Sequence, residues 1–247
     1  MKVSIITVVF NNVEFIEECI LSIAAQDYLY IEYIIVDGGS TDGTVSVINK
    51  HLKHISYFCS EKDEGLYDAL NKGIALSTGE VVGVLHADDY FPDPGILSEV
   101  ASYFKKYQCE GVYGNVNFIQ RRWPSELRRK WISKVYQRKD FRYGWMPAHP
   151  SLFLKRTLFY SLGGYSLDYG SCADYELMLR YFYRNRIEAV FMNKVLVNMR
   201  LGGLSNGSFR KVSRAAAYDY KALVAHKIPH PFFVLLLKKL RKVRQFF

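Results

Sequence analysis

Through its first 120 residues the chain alternates short, β-branched apolar runs with segments of helical period, and almost every run stops at a polar or acidic turn. Residues 3–10 form a continuous apolar run rich in Val and Ile, the pattern of a strand covered on both faces. Asn11-Asn12 breaks it, and residues 14–25 then place Phe15, Cys19, Ser22 and Ile23 at helical spacing. Residues 33–36 are a second run that ends at Asp37. Gly38-Gly39-Ser40-Thr41-Asp42-Gly43-Thr44 follows as a turn, with Thr41 or Asp42 able to cap the next helix. Residues 55–59 are a third run. A polar loop at 60–65 leads into a helical pattern over Leu66–Leu76, which Ser77-Thr78-Gly79 stops. Residues 80–85 are a fourth run, ending at His86-Ala87-Asp88-Asp89. Pro92-Asp93-Pro94 opens a helix over Ile96–Tyr107, and 111–118 is a fifth strand. Such a rhythm predicts an α/β fold, with a Rossmann-like, mostly parallel sheet flanked by helices. Ligands of such sheets bind outside the carboxyl ends of the strands, where Asp37 and Asp88-Asp89 fall.

The rhythm weakens after residue 120. Residues 121–142 hold nine basic and two acidic residues, interleaved with Trp123, Trp131, Tyr136 and Phe141. A further strand is expected at 149–154, a helix carrying Asp174 and Glu176 at 171–184, and another helix at 209–226. Residues 232–247 couple Phe-Phe-Val-Leu-Leu-Leu to Lys238, Lys239, Arg241, Lys242 and Arg244. With no internal repeat and no linker-like stretch, one compact domain with C-terminal elaborations is expected. An apolar share of 49% supports a packed core and excludes a mainly disordered chain. No apolar run reaches the roughly 18 residues of a spanning helix. Residues 1–7 lack a small-residue cleavage site and are expected to be a buried strand, not a signal peptide. Cys19, Cys59, Cys109 and Cys172 show no two-residue spacing, which speaks against a disulfide framework or zinc knuckle and for reduced thiols in a cytoplasmic protein.

The net charge of +9 is unevenly placed. Residues 1–100 carry 5 Lys+Arg and 16 Asp+Glu, whereas residues 101–247 carry 28 and 8. An acidic half can host a cation, and a basic half can meet nucleic acid, a membrane surface or a phosphorylated substrate. Asp88-Asp89 directly follows an apolar strand, and two adjacent carboxylates are costly unless a cation or water compensates them. Hard oxygen ligands suit Mg²⁺ or Mn²⁺, which bind through one or two carboxylates plus substrate phosphates. With Asp37 at a neighbouring strand end, a metal-diphosphate site is expected.

These segments carry a resemblance. Val3-Ser4-Ile5-Ile6-Thr7-Val8-Val9-Phe10-Asn11-Asn12 resembles the opening strand of inverting glycosyltransferases of family 2. Ile35-Val36-Asp37-Gly38-Gly39-Ser40-Thr41-Asp42-Gly43-Thr44 is similar to their most recognisable segment. Asp63-Glu64-Gly65-Leu66-Tyr67-Asp68-Ala69-Leu70-Asn71-Lys72-Gly73-Ile74, then Thr78-Gly79-Glu80, then His86-Ala87-Asp88-Asp89 follow in the family's order. The likeness covers residues 1–100, with weaker matches to about 200. It implies a GT-A fold over residues 1–205, with a nucleotide-sugar half (1–118) and an acceptor half (119–205). Residues 206–247 would be C-terminal helices with a basic amphipathic tail.

The resemblance also implies roles. Asp37 would hold the base or ribose of a nucleotide-sugar donor, a UDP-sugar favoured, and Thr7 and Phe10 would wall that pocket. Asp88 and Asp89 correspond to the DXD region, holding ribose and a Mg²⁺ or Mn²⁺ ion on the diphosphate. His86 stands where the first Asp is usual, which leaves open whether Asp88 or Asp89 is the metal ligand. Cys172-Ala173-Asp174-Tyr175-Glu176-Leu177-Met178-Leu179-Arg180 resembles the helix that supplies the general base. Ala173 replaces the usual first acid, so Asp174 is the candidate, with Glu176 next. His149, in Met146-Pro147-Ala148-His149-Pro150-Ser151, would contact donor phosphates or acceptor, and Arg200 would neutralise the leaving diphosphate. The implied activity is hexosyl or N-acetylhexosaminyl transfer to a saccharide or lipid-linked saccharide in surface polysaccharide synthesis, with no nucleic-acid partner.

The tail at 232–247 either lies on an anionic bilayer at the cytosolic face or packs its apolar side on the domain. Two other classes compete. A nucleotidyltransferase of sugar phosphates would show a Gly-rich loop with a basic residue near the first strand, and Phe10-Asn11-Asn12 lacks one. A nucleic-acid-binding protein using residues 121–142 would have to overcome the acidic first half.

Overall fold

Strand β1 (Val3–Val9) pairs in parallel with β2 (Ile31–Asp37) on one side and β4 (Val81–Val84) on the other, and β2 pairs in parallel with β3 (Tyr57–Ser60). All seven β1 residues are buried, as a strand between two helical layers must be. The computed structural model describes residues 1–121, 126–202 and 209–243, apart from the side chains of 209–212 and 242–243. Trp123 and Arg244 lie outside the described residues.

Alternation along β1 divides the core. Val3, Ile5 and Val9 join one apolar cluster with Ile16, Cys19, Ile20 and Ile23 of α1 (Ile16–Ala24). Ile6 and Val8 join the other, with Ala69, Leu70 and Ile74 of α3 (Leu66–Leu76). The two-residue period of a strand thus feeds both helical layers. Helix α2 (Thr44–Lys50) joins the α1 side through Ile48. Its entry turn is closed by Asp42, whose Oδ1 accepts from the Thr44 amide at 3.0 Å and from its hydroxyl, so Asp42 rather than Thr41 fixes this turn. The first-half expectations otherwise hold to within a few residues, including α4 (Ile96–Tyr107) and β5 (Gly111–Ile119).

The second half departs from expectation in three places. Residues 149–154 are not one strand. Pro150 has no N–H to give a ladder, so His149–Ser151 form a 3-10 turn and only β7 (Phe153–Lys155) is extended, antiparallel to both β4 and β5. Residues 171–184 are not one α-helix either. A 3-10 turn (Leu167–Cys172) kinks at Gly170, and α6 (Ala173–Met178) follows and widens into a π turn over Leu179–Arg184. Two strands escape the sequence pattern. The short, charged β6 (Leu127–Trp131) lies at the sheet edge, where Arg and Lys deter further pairing. The long β8 (Ala189–Arg200) has its apolar residues interrupted by Asn193, Lys194 and Asn198; it pairs in parallel with β5.

The sheet order is β3-β2-β1-β4-β7-β5-β6, with β8 on β5. The expected mostly parallel sheet is therefore present, with β7 and β6 reversed. Strand β7 sits between β4 and β5, so the expected halves 1–118 and 119–205 share one sheet. Helices α5 (Arg156–Leu162), α7 (Phe209–Ala225) and α8 (Pro231–Val243) complete the chain. Val234 of α8 is fully buried. The helix backbone passes so close to Gly144, at φ +70°, that a Cβ there would come 2.5 Å from the Lys238 nitrogen. Among the described residues no helix is long and apolar enough to cross a membrane.

Candidate active site

Parallel β1, β2 and β4 end on one side of the sheet, and the chain there curls around carboxylates. Asp37, the last residue of β2, is fully buried. Its Oδ2 accepts from the Gly39 amide at 3.1 Å, the Ser40 amide at 2.9 Å and the Ser60 hydroxyl at 2.6 Å, while Oδ1 takes the Ser40 hydroxyl. Gly39 holds φ +85° within this turn, a conformation that suits glycine. Phe10, just past β1, is 63% exposed beside it. Thr7, expected to wall the donor pocket, lies in the core. Its side chain is fully buried, donates to the Leu85 carbonyl at 2.8 Å and accepts from Tyr33.

Past β4 the two adjacent acids split their tasks. Asp89 is buried; its Oδ1 accepts the Arg200 amide at 3.0 Å and its Oδ2 has no hydrogen-bond partner. Burial pushes its carboxyl well above the usual range, and the Asp88 charge adds to this. Asp88 stays accessible and takes Arg121 Nη1 on Oδ2 at 3.1 Å. Arg200, expected at the leaving diphosphate, lies behind this turn. Its guanidinium is buried, bonded to Glu18 and to the Asp88 carbonyl at 2.7 Å, and stacked on Phe15 and Tyr90. Arg200 thus braces the acidic turn.

A divalent cation fits this turn. Asp89 Oδ2, which has no hydrogen-bond partner, and the neighbouring Asp88 carboxylate supply hard oxygen donors, which suit Mg²⁺ or Mn²⁺. Among the described residues no group of three or more His, Cys, Asp or Glu forms a protein-only cage. The remaining ligands would be phosphate oxygens and water. Asp88 is the more accessible ligand of the two.

Asp174 opens α6. Its Oδ1 accepts the Tyr175 amide at 2.7 Å and its Oδ2 lies 3.2 Å from His149 Nε2. The His149 ring stands edge-on to Trp131 at 5.6 Å. Burial pushes the His86 imidazole pKa down and His149 adds to this, while Asp88 and Asp174 both oppose it. Tyr67 and Tyr165 pair at 5.3 Å beside Asp174; burial first, then its charge, pushes both phenols up.

Glu176 does not share this site. It is buried, and its carboxylate bonds Arg180 at 2.9 and 3.0 Å and His226 Nε2 at 2.9 Å. Burial alone would raise its pKa, but the His226 and Arg180 bonds outweigh it and lower it.

Sequence reasoning missed Arg121 on Asp88, Trp131 under His149, Glu18 on Arg200 and the Tyr67–Tyr165 pair. Arg121 and Trp131 lay in the basic, aromatic segment 121–142, where no spacing singled them out. All four cysteines are free thiols.

Residues 4–165 match the family described as Glycosyl transferase family 2. A PGL/p-HBAD biosynthesis glycosyltransferase of Mycobacterium bovis (strain BCG) is 30% identical over 213 residues, 82% of this chain and 78% of that protein. An uncharacterized glycosyltransferase of Mycobacterium tuberculosis is 31% identical over 187 residues, 72% of this chain and 68% of that protein. Among solved structures, S. aureus TarS (residues 1–349) superposes with a TM-score of 0.74 at 17% identity, over 99% of this chain and 72% of that one. The mannosyltransferase PcManGT from Pyrobaculum calidifontis, in complex with GDP-Man and Mn²⁺, gives 0.67 at 21% identity, over 96% and 68%. The two competing classes, nucleotidyltransferase and nucleic-acid-binding protein, fall away. With the expected GT-A fold and these relatives, the chain belongs to glycosyl transferase family 2 and is a glycosyltransferase.

Proposed function

We propose that the protein transfers a sugar from a nucleoside-diphosphate sugar, a UDP-sugar favoured, to an acceptor hydroxyl with inversion at the anomeric carbon. The observation that carries this reading is a pair of acidic strand ends: Asp37 closes β2, Asp88 and Asp89 follow β4, and β1 pairs with both strands.

In this reading each residue has one role. Asp37 and its turn receive the donor nucleoside, with Phe10 beside them. Asp88 and Asp89 hold the divalent cation, which supplies positive charge to the diphosphate when bound. Asp174 accepts the proton of the acceptor hydroxyl. The acceptor oxygen bonds the anomeric carbon as the bond from that carbon to the diphosphate oxygen breaks, and the electron pair leaves with the nucleoside diphosphate. His149, whose Nε2 lies 3.2 Å from Asp174 Oδ2, aims the carboxylate.

The acceptor in this reading is a saccharide or lipid-linked saccharide of surface polysaccharide or glycolipid synthesis, reached from the cytosolic face of a membrane. The name of the mycobacterial relative supports the glycolipid side. Solved neighbours hold UDP-GlcNAc in one case and GDP-Man with Mn²⁺ in another, which supports a nucleotide-sugar donor and a divalent cation. The test is to incubate the protein with a panel of nucleotide sugars and Mn²⁺ and to measure released nucleoside diphosphate and product anomer. Release that stops in Asp174→Asn, with an inverted product, is expected. A retained anomer, or full turnover in Asp174→Asn, would overturn the reading.

A further inference from the structure

Helix α8 is docked by one side and apolar on the other. Val234 is buried and Leu235 half-buried against the domain, while Lys238 pairs with Asp219 at 2.7 Å. Phe232, Phe233, Leu236 and Leu240 face away, at 79%, 51%, 51% and 54% exposure. Their spacing puts them within one arc of the helix, opposite Val234. Lys239 and Arg241 are also exposed. The sequence of α8 contains no acidic residue.

A second basic element abuts it. The 3-10 turn Arg138–Tyr143 packs on α8 through Gly144, and Arg241 Nε donates to the Tyr143 carbonyl at 2.8 Å. Lys139, Arg142 and Tyr143 of this turn are exposed, whereas its one acid, Asp140, is buried on Lys134. Two cationic segments about ninety residues apart in sequence thus share an edge beside an exposed apolar stripe.

We propose that this face of α8, with the turn at Arg138–Tyr143, seats the protein on an anionic lipid bilayer. An exposed apolar stripe flanked by cations is the pattern of a helix lying in the headgroup region, and each Lys or Arg adds attraction to an anionic leaflet. A second copy of the chain is the poorer occupant, because a two-fold contact would bring together two α8 faces that carry cations and no acid. Lys238 Nζ, on the docked side of α8, lies 3.4 Å over the Tyr175 ring and ties the helix to α6.

The test needs no donor or acceptor, so it stands apart from the proposed reaction. The full chain is sedimented with vesicles of equal parts phosphatidylcholine and phosphatidylglycerol, and with phosphatidylcholine alone. Tight binding to the mixed vesicles, weaker binding to the neutral ones and a fall with added salt are expected. Lys239→Glu should weaken binding about fivefold or more. Phe232→Ala/Leu236→Ala/Leu240→Ala should abolish it with an unchanged Tm, since all three side chains are exposed; if that triple variant fails to fold, Lys239→Glu alone decides. Equal binding to both vesicle types, or binding unaffected by either variant, would overturn the proposal. A wild-type dimer that ignores vesicles and that the triple variant dissolves would overturn it in favour of a second copy.

Discussion

His149 Nε2 lies 3.2 Å from Asp174 Oδ2, so the residue before Pro150 and the first acid of α6 form one pair. Asp174→Asn should lower kcat by about 10²–10⁴-fold, the usual cost of losing a general base, with donor binding unchanged. His149→Gln should lower kcat by less, because it removes the group that aims the base and leaves the base itself. Steady-state kinetics with donor titration by calorimetry separate the two effects.

Asp37 uses both oxygens on its own turn, so its loss should be felt twice. Asp37→Ala should weaken donor binding, and it should also lower stability by about 1.5–3 kcal/mol, the range for hydrogen bonds to a charged group. Calorimetry with UDP and GDP reads the first effect and urea unfolding the second. Unchanged affinity for whichever nucleotide binds would remove Asp37 from the donor site.

Nucleoside-diphosphate binding should need a divalent cation, and EDTA should abolish it. Arg121 occupies one oxygen of Asp88, so it competes with a cation there. Arg121→Ala should lower the Mn²⁺ concentration for half-maximal binding by up to about fivefold, given the worth of a partly exposed ion pair. Mn²⁺ titrations of nucleotide binding check both outcomes.

Glu176 is a structural acid. Removing one member of its buried network with Arg180 and His226 leaves the others uncompensated. Glu176→Ala should therefore cost about 3–5 kcal/mol of stability, whereas Asp174→Asn should leave the Tm near wild type. Thermal unfolding of the two variants side by side makes the contrast.

Acid should loosen the start of the sheet through Glu32. Burial would raise its carboxyl, but bonds from Lys2, Ser4 and Thr78 outweigh this and hold it at about 2, below the ordinary 4.5. A depressed folded pKa gives stability that is complete above the unfolded value and lost as pH falls through the folded one. Stability should thus decline between about pH 4.5 and 2, and Glu32→Gln should flatten that decline in pH-dependent urea unfolding.

The sequence by itself determined the first half. Continuous apolar runs such as 3–10 and 33–36 can only be covered on both faces, so strand, helix and strand had to stack into a parallel sheet, and Asp37 and Asp88-Asp89 had to emerge at its carboxyl ends. The family motifs sat on those same ends. Tertiary structure decided what period and motif do not encode, namely which side chains meet across long separations. Thr7 and Arg200 looked available in sequence, and packing committed both to the core. Asp174 and Glu176 are two residues apart, yet the turn of α6 sends one to His149 and the other to Arg180 and His226. The tail kept both of its readings, because a helix can bury Val234 and still present Phe232, Leu236 and Leu240 outward. Local sequence fixes the faces of an element, and only the fold fixes which of those faces is covered.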